Sequence, residues 1–184
     1  MIDGVLQYAT VDVSEQFVHE IDLSSLVKSI VEDLEIPIKE HNAKIEYTDL
    51  PVLKGYPTLV NQLLYNLINN SLKFRKPNIS PCIRIYTQQL DEAEQKAVQG
   101  NFFKLVLEDN GVGFDQSYAE KIFESFTRLH PKDKFEGTGL GLALCRKIVL
   151  RHKGIIKASG ELDKGAKFTI FFPQAIRVFK TVGP

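Results

Sequence analysis

The sequence predicts an α/β domain of two layers: a mixed, largely antiparallel sheet with helices on one face. Three observations predict it. Apolar residues recur at helical spacing over residues 23–38, 57–74 and 140–152. Four runs with strand character follow one another at 82–90, 102–108, 155–159 and 167–172. Their connections are mostly of hairpin type, which argues against a doubly wound parallel sheet, where each strand needs a crossover helix.

Residues 1–19 open with Ile2, Val5, Leu6 and Ala9 at helical spacing and then turn polar, as at the end of a helix entering a linker. The first full helix, 23–38, carries Leu26, Ile30, Val31, Leu34 and Ile38 on one stripe, with Asp22 or Ser24 placed to cap it. Short extended pieces at 44–47 and 52–54 flank the Asp49-Leu50-Pro51 turn. The second helix, 57–74, buries Val60, Leu63, Leu64, Leu67 and Ile68, and Pro77 marks its stop. The strands at 82–90 and 102–108 pair across a polar loop. After Asp109 come a glycine-punctuated loop, a short helix near 117–126, more loop, and the 140–152 helix closed by Gly154. The last two strands are bounded by Gly160, Gly165 and Pro173, and 174–184 reads as a tail or linker. The compact domain is therefore expected over 20–173.

Composition narrows the partners. With 184 residues, 43% hydrophobic and 25% charged, the chain suffices for one domain with a sizeable core. Twenty-three basic and 23 acidic residues cancel, so bulk charge offers nothing to nucleic acid or to an anionic membrane. Cys82 and Cys145 form no C-x-x-C pair and read as buried thiols of a reducing compartment. No apolar run approaches the roughly 20 residues that span a bilayer, and no signal-peptide pattern opens the chain. A cytoplasmic location is expected, with any membrane anchor lying outside this sequence.

Three short constellations carry chemistry. In Asn66-Leu67-Ile68-Asn69-Asn70-Ser71-Leu72-Lys73-Phe74, the residues Asn66, Asn70 and Lys73 share one helix face. An amide oxygen is a hard neutral ligand suited to Mg²⁺, and Lys73 one turn on can neutralise a phosphate. Alone, the pattern more often describes a solvated helix face, which is routine on surface helices. In Asp109-Asn110-Gly111-Val112-Gly113, a carboxylate at a strand end can accept from the exocyclic amine of adenine and would repel the oxygen of guanine. Gly111 and Gly113 would let backbone pass close to a ligand, although D-N-G also reads as a plain turn. In Gly137-Thr138-Gly139-Leu140-Gly141-Leu142, glycines precede a helix start whose unpaired amides suit a polyphosphate. The spacing is not that of a dinucleotide fingerprint, and Gly160 with Gly165 fails as a P-loop because Ala166 stands where lysine is required.

In this order and spacing the three resemble the boxes of the Bergerat-type ATP-binding fold, the family of histidine kinases, gyrase, Hsp90-type chaperones and MutL-type repair proteins. The resemblance runs over about residues 23–173. Ile122-Phe123-Glu124-Ser125-Phe126-Thr127-Arg128 matches the phenylalanine box, and Lys164-Gly165-Ala166-Lys167-Phe168 resembles the last box. The resemblance implies that Asn70 ligates Mg²⁺ and Asp109 binds adenine. It places Asn66, Phe74, Ile122, Ala166 and the glycine-box residues around the nucleotide. Lys73 and Arg128 would handle the phosphates and assist transfer. The stretch from Arg128-Leu129-His130 to Phe135-Glu136-Gly137 is most similar to the short lids of phytochrome-like and PAS-linked histidine kinases. Residues 129–136, charged and poor in apolar groups, would then be a lid ordered by Mg²⁺-ATP. Hydrolases of the family carry a glutamate where Asn66 stands, so the resemblance points to a kinase.

Two departures from the family pattern stand out. Ala166 replaces a serine or threonine whose hydroxyl can reach adenine through water, and Asp163 replaces a glycine, a change expected to be harmless. His19-Glu20-Ile21 imitates the start of the family's phosphoacceptor motif, but Asp22-Leu23-Ser24 lacks its arginine and proline. His41, His130 and His152 read as surface residues. The expectation is thus a catalytic fragment whose dimerisation helices, with the acceptor histidine, lie outside the chain. Its partners would be those helices, a second copy of the full-length protein and a response regulator. Two competing readings are a non-catalytic nucleotide sensor, favoured by Ala166, and an ATPase clamp, disfavoured by Asn66.

Overall fold

A computed structural model describes residues 17–48, 50–98, 100–129 and 137–174. The helix end expected before residue 17, the tail after 174 and all of the lid except Leu129 lie outside the described residues.

Asp22 closes the first strand, β1 (His19–Asp22), and caps the first helix, α1 (Leu23–Asp33). Its Oδ1 accepts from the Ser24 and Ser25 amides at 2.9 and 3.2 Å, satisfying two orphan donors of the helix start. The expected helix over 23–38 is in fact two helices. Pro37 has no N–H, and its ring would collide with the carbonyl of Asp33, so the chain breaks at Leu34. It restarts as α2 (Glu35–Glu40), where proline falls in a first turn that needs no amide. Helix α3 (Pro57–Lys73) matches its expected span and buries Leu63, Leu64, Leu67 and Ile68. It ends as the Phe74 amide donates to Asn70 O at 2.8 Å.

Five strands form the main sheet in the order β2 (Lys44–Tyr47), β4 (Cys82–Gln88), β5 (Phe102–Asp109), β7 (Gly165–Pro173), β6 (Ile155–Glu161). Only β2 and β4 run parallel; the other three pairs are antiparallel. Register aligns Ile85, Leu107 and Phe168 in one row and Leu105, Ile170 and Ile156 in the next. These residues, all buried, form the inner face against which α3 and α5 (Gly141–Arg151) close the core. The alternate residues Arg84, Glu108, Lys104 and Lys157 face outward, and Arg84 pairs with Glu108.

Further features depart from expectation. Residues 19–22, where no strand was expected, form β1, which pairs with β3 (Val52–Gly55) in a separate two-stranded ribbon. Four residues with one buried side chain, Ile21, give too short an alternation to register as a strand. The polar loop after β4 contains a helix, α4 (Glu92–Ala97), held by a reciprocal capping box between Asp91 and Glu94. Its Glu94 meets the outward Lys104 at 2.7 Å, with both side chains largely covered. The helix expected near 117–126 is two 3₁₀ turns, Gln116–Tyr118 and Lys121–Phe123, because only Ile122 and Phe123 offer it buried apolar anchors. Finally, His152 is buried, at 8% exposure, and is not a surface residue. It ends α5 with Nδ1 2.8 Å from Ile148 O, and its Nε2 accepts from the Tyr56 amide at 3.0 Å. The ring occupies space that a side chain at Gly55 would fill, since a Cβ there would lie 2.7 Å from Nε2. His41 is half-buried, and His130 lies outside the described residues. Cys145 is buried as expected, whereas Cys82, beginning β4, is only half-buried.

Candidate functional site

The C-terminal half of α3, the end of β5, the 3₁₀ segment, the start of α5 and β7 surround one cavity of about 260 Å³. Of the residues expected from sequence, Asn70, Lys73 and Phe74 of α3 reach it. So do Asp109, Gly113, Ile122, Arg128 and Ala166, together with Gly137, Thr138, Gly139, Gly141 and Leu142.

Asp109 anchors the inner end. Its Oδ1 accepts from the Gly111 and Ala166 amides at 2.8 and 3.2 Å, and its Oδ2 from the Ser71 hydroxyl at 2.9 Å. Burial pushes its carboxyl above the usual carboxylate range, and those three hydrogen bonds pull against the rise. The opposite end is cationic. Arg128 Nη1 donates to Gly137 O, and a Cβ on Gly137 would lie 2.6 Å from Lys73 Nζ, so both cations converge on one glycine. Lys73 Nζ also sits 4.5 Å from the centre of the Phe74 ring. Between the ends stands the start of α5, where Leu140 supplies no side-chain cap to the first amides. An amide-bearing helix terminus beside two cations is suited to a polyphosphate.

The glycines act partly on the protein itself. Gly111 does not line the cavity; a Cβ there would strike Phe74 O at 2.5 Å, where Val112 N donates to the same oxygen. Gly139, at φ +74°, lets Phe126 N reach Gly139 O at 2.9 Å. Leu140 is buried and anchors the helix start in the core. Asn66 also stays outside the cavity. Its amide nitrogen is buried without an ordinary hydrogen-bond partner among the described residues and lies against the Cys145 thiol, which burial pushes up to about 12. Helical spacing puts Asn66 on the Asn70 face, but α5 packs close enough to claim it. The structure adds Ser71, Phe114, Thr127, Leu129 and Phe168 to the lining. Ser71 is legible in hindsight as the one hydroxyl on the apolar face of α3.

The turn joining β6 to β7 accounts for the glycine that Asp163 replaces. Asp163 takes φ +61°, a left-handed conformation that aspartate tolerates and glycine adopts freely. Asp163→Gly should therefore leave the site intact and raise stability by about 1 kcal/mol, read from urea unfolding. A loss of stability would show that the aspartate side chain itself is needed.

A sequence model described as "Histidine kinase-, DNA gyrase B-, and HSP90-like ATPase" matches residues 55–176. The chain belongs to this family. Within the ATPase family it is similar to the phytochrome-like protein Cph1 of Synechocystis sp., at 34% identity over 94% of this chain and 22% of that protein. Cyanobacterial phytochrome A of Nostoc sp. is also 34% identical, over 94% of this chain and 21% of its own length. The chain thus spans about a fifth of the length of each of these two relatives. Its fold is shared by part of full-length ShkA, solved in complex with AMPPNP, with a TM-score of 0.74 at 22% identity, covering 94% of this chain and 35% of that one. The catalytic domain of histidine kinase ThkA superimposes with a TM-score of 0.68 at 23% identity, over 86% of this chain and 96% of that one. Among the described residues, no helix is long and apolar enough to cross a membrane.

Proposed function

We propose that this chain is the ATP-binding catalytic domain of a sensor histidine kinase, presenting the ATP γ-phosphate to a histidine on separate dimerisation helices of a longer protein. One observation carries the reading: a single cavity joins a half-buried carboxylate that has an acceptor position to spare to a cationic end built from Lys73, Arg128 and the start of α5. Adenine fits the first end, through its amine, and a triphosphate fits the second. The description of the matching family, the histidine kinase ThkA catalytic domain and the AMPPNP complex of ShkA support the same assignment.

Asn70 is the residue to hold Mg²⁺. Its neutral amide lines the cavity beside Gly141, and among the described residues no group of three or more His, Cys, Asp or Glu could hold a metal ion unaided. A lone amide oxygen suits an ion that takes its other ligands from phosphates and water, and such an ion would neutralise phosphate charge. Asn70→Ala should weaken nucleotide binding about tenfold with Mg²⁺ present and much less with EDTA, measured by calorimetry. Equal losses would mean that Asn70 touches nucleotide and not metal.

Lys73 and Arg128 would orient the phosphates and stabilise the charge that spreads over the transferring group. Asp109 is the sole carboxylate among the described lining residues, and its remaining acceptor position is the one assigned to adenine, at the end of the cavity opposite Lys73 and Arg128, which leaves no general base there for attacking water. Phosphoryl transfer to a nucleophile supplied elsewhere is therefore favoured over hydrolysis. In a full-length homodimer the phosphohistidine would then serve a response regulator. The exposed His19 of β1 pairs with Gly55 of β3 and does not line the cavity. The isolated domain, given γ-labelled ATP, should bind it without acquiring acid-labile phosphate, and should label added dimerisation helices. Steady ATP turnover without those helices would replace the kinase reading with an ATPase one.

A further inference from the structure

Ser71 is out of character for its surroundings. It stands on the buried face of α3 among Leu67, Ile68 and Leu72, is 3% exposed, and still lines the cavity. Its hydroxyl has one proton and two acceptors in reach: Leu67 O at 3.2 Å, one turn back, and Asp109 Oδ2 at 2.9 Å. The carboxylate is nearer and carries more charge, so it takes the proton. The other carboxylate oxygen, Oδ1, is already engaged by the Gly111 and Ala166 amides. Oδ2 has Ser71 as its single described donor and so keeps an acceptor position for a ligand. Across the cavity, residue 166 is alanine and offers Asp109 only its amide, so the side-chain donor comes from α3.

We infer that Ser71 is a positioning residue for base recognition, its hydroxyl holding Asp109 in the orientation that turns one Oδ2 acceptor position toward an exocyclic amine. This rests on the ATP-binding reading above. Two fixed donors on Oδ1 and one on Oδ2 leave the carboxylate no rotation that keeps all three bonds. Removing the hydroxyl frees Oδ2, leaves a partly buried acceptor less satisfied and loosens the aim of the group that meets the amine. The cations of the site, Lys73 and Arg128, meet at Gly137, and the next carboxylate, Glu108, faces the opposite side of the sheet toward Arg84. The hydrogen bonds that hold Asp109 therefore all come from neutral donors.

The test pairs Ser71→Ala with two nucleotides: ATP, and purine riboside triphosphate, which lacks the exocyclic amine. Calorimetry should show ATP affinity falling about tenfold in Ser71→Ala, while affinity for the amine-free analogue changes by less than about twofold. Equal loss with both nucleotides would overturn the inference and make Ser71 a packing residue, and so would unchanged ATP affinity. Failure of the unaltered domain to bind either nucleotide would overturn the ATP-site reading itself, and this inference with it.

Discussion

Asp109→Asn is expected to cut ATP affinity at least about a hundredfold while leaving the domain folded. The amide oxygen can keep the position of Oδ1, where the Gly111 and Ala166 amides demand an acceptor. The amide nitrogen then falls at Oδ2, and a donor faces the adenine amine. Losing a hydrogen bond to a charged group costs about 1.5–3 kcal/mol, and the opposed donors add to that. The fold should survive because the substitution removes a charge whose burial is unfavourable. The direction of the Asp109 shift sets the sign. A carboxyl raised in the folded state favours folding below its unfolded pKa and loses that contribution as pH rises through the folded value. At neutral pH the neutral asparagine should thus melt at or above the wild-type temperature. The same shift means that ATP binding by the unaltered domain should begin to fail on acidification at a higher pH than an ordinary aspartate would set. GTP, with an oxygen in place of the amine, should compete poorly. Unchanged ATP affinity in Asp109→Asn would remove this residue from the base site.

Gly165→Ala should be the most damaging single methyl group in the domain. Gly165 begins β7 at φ +119°, a conformation nearly confined to glycine, and a Cβ there would lie 1.9 Å from Asp109 O. The obstacle is backbone, so no side-chain rotation relieves it. Strand β7 would have to leave β5 at the point where the Ala166 amide reaches Asp109. A loss of about 3 kcal/mol or more is expected in urea unfolding, with ATP binding lost alongside. Gly113→Ala should act in the same direction, its Cβ lying 2.0 Å from Glu161 O at the end of β6. A penalty below about 1 kcal/mol for Gly165→Ala would mean that the turn moves freely and that the close approach is not needed.

These two residues also mark what could be read in advance. The glycine and asparagine boxes were legible because their spacing is local: Asp109 ends a strand, Lys73 lies one turn beyond Asn70, and glycines open α5. Long apolar stripes likewise placed α3 and α5 within a residue or two. Tertiary packing was less legible. Asn66 shares a helix face with Asn70 by angle, yet its amide nitrogen is buried against Cys145 of α5. His152 looks like a surface residue at a helix end until Gly55 is seen to leave room for its ring. Pro37 and the Asp91–Glu94 box were signals of ordinary strength that a continuous apolar stripe and a polar loop concealed. Ser71 was hidden by its place in the apolar stripe, and its role appears only once β5 brings Asp109 beside it.

The most direct measurement is a crystal structure of the domain with an ATP analogue and Mg²⁺. The account predicts the adenine amine within hydrogen-bond reach of Asp109 Oδ2, the triphosphate between Lys73, Arg128 and the first amides of α5, and the metal on Asn70. A nucleotide bound elsewhere, or bound in this cavity with its base turned away from Asp109, would contradict it.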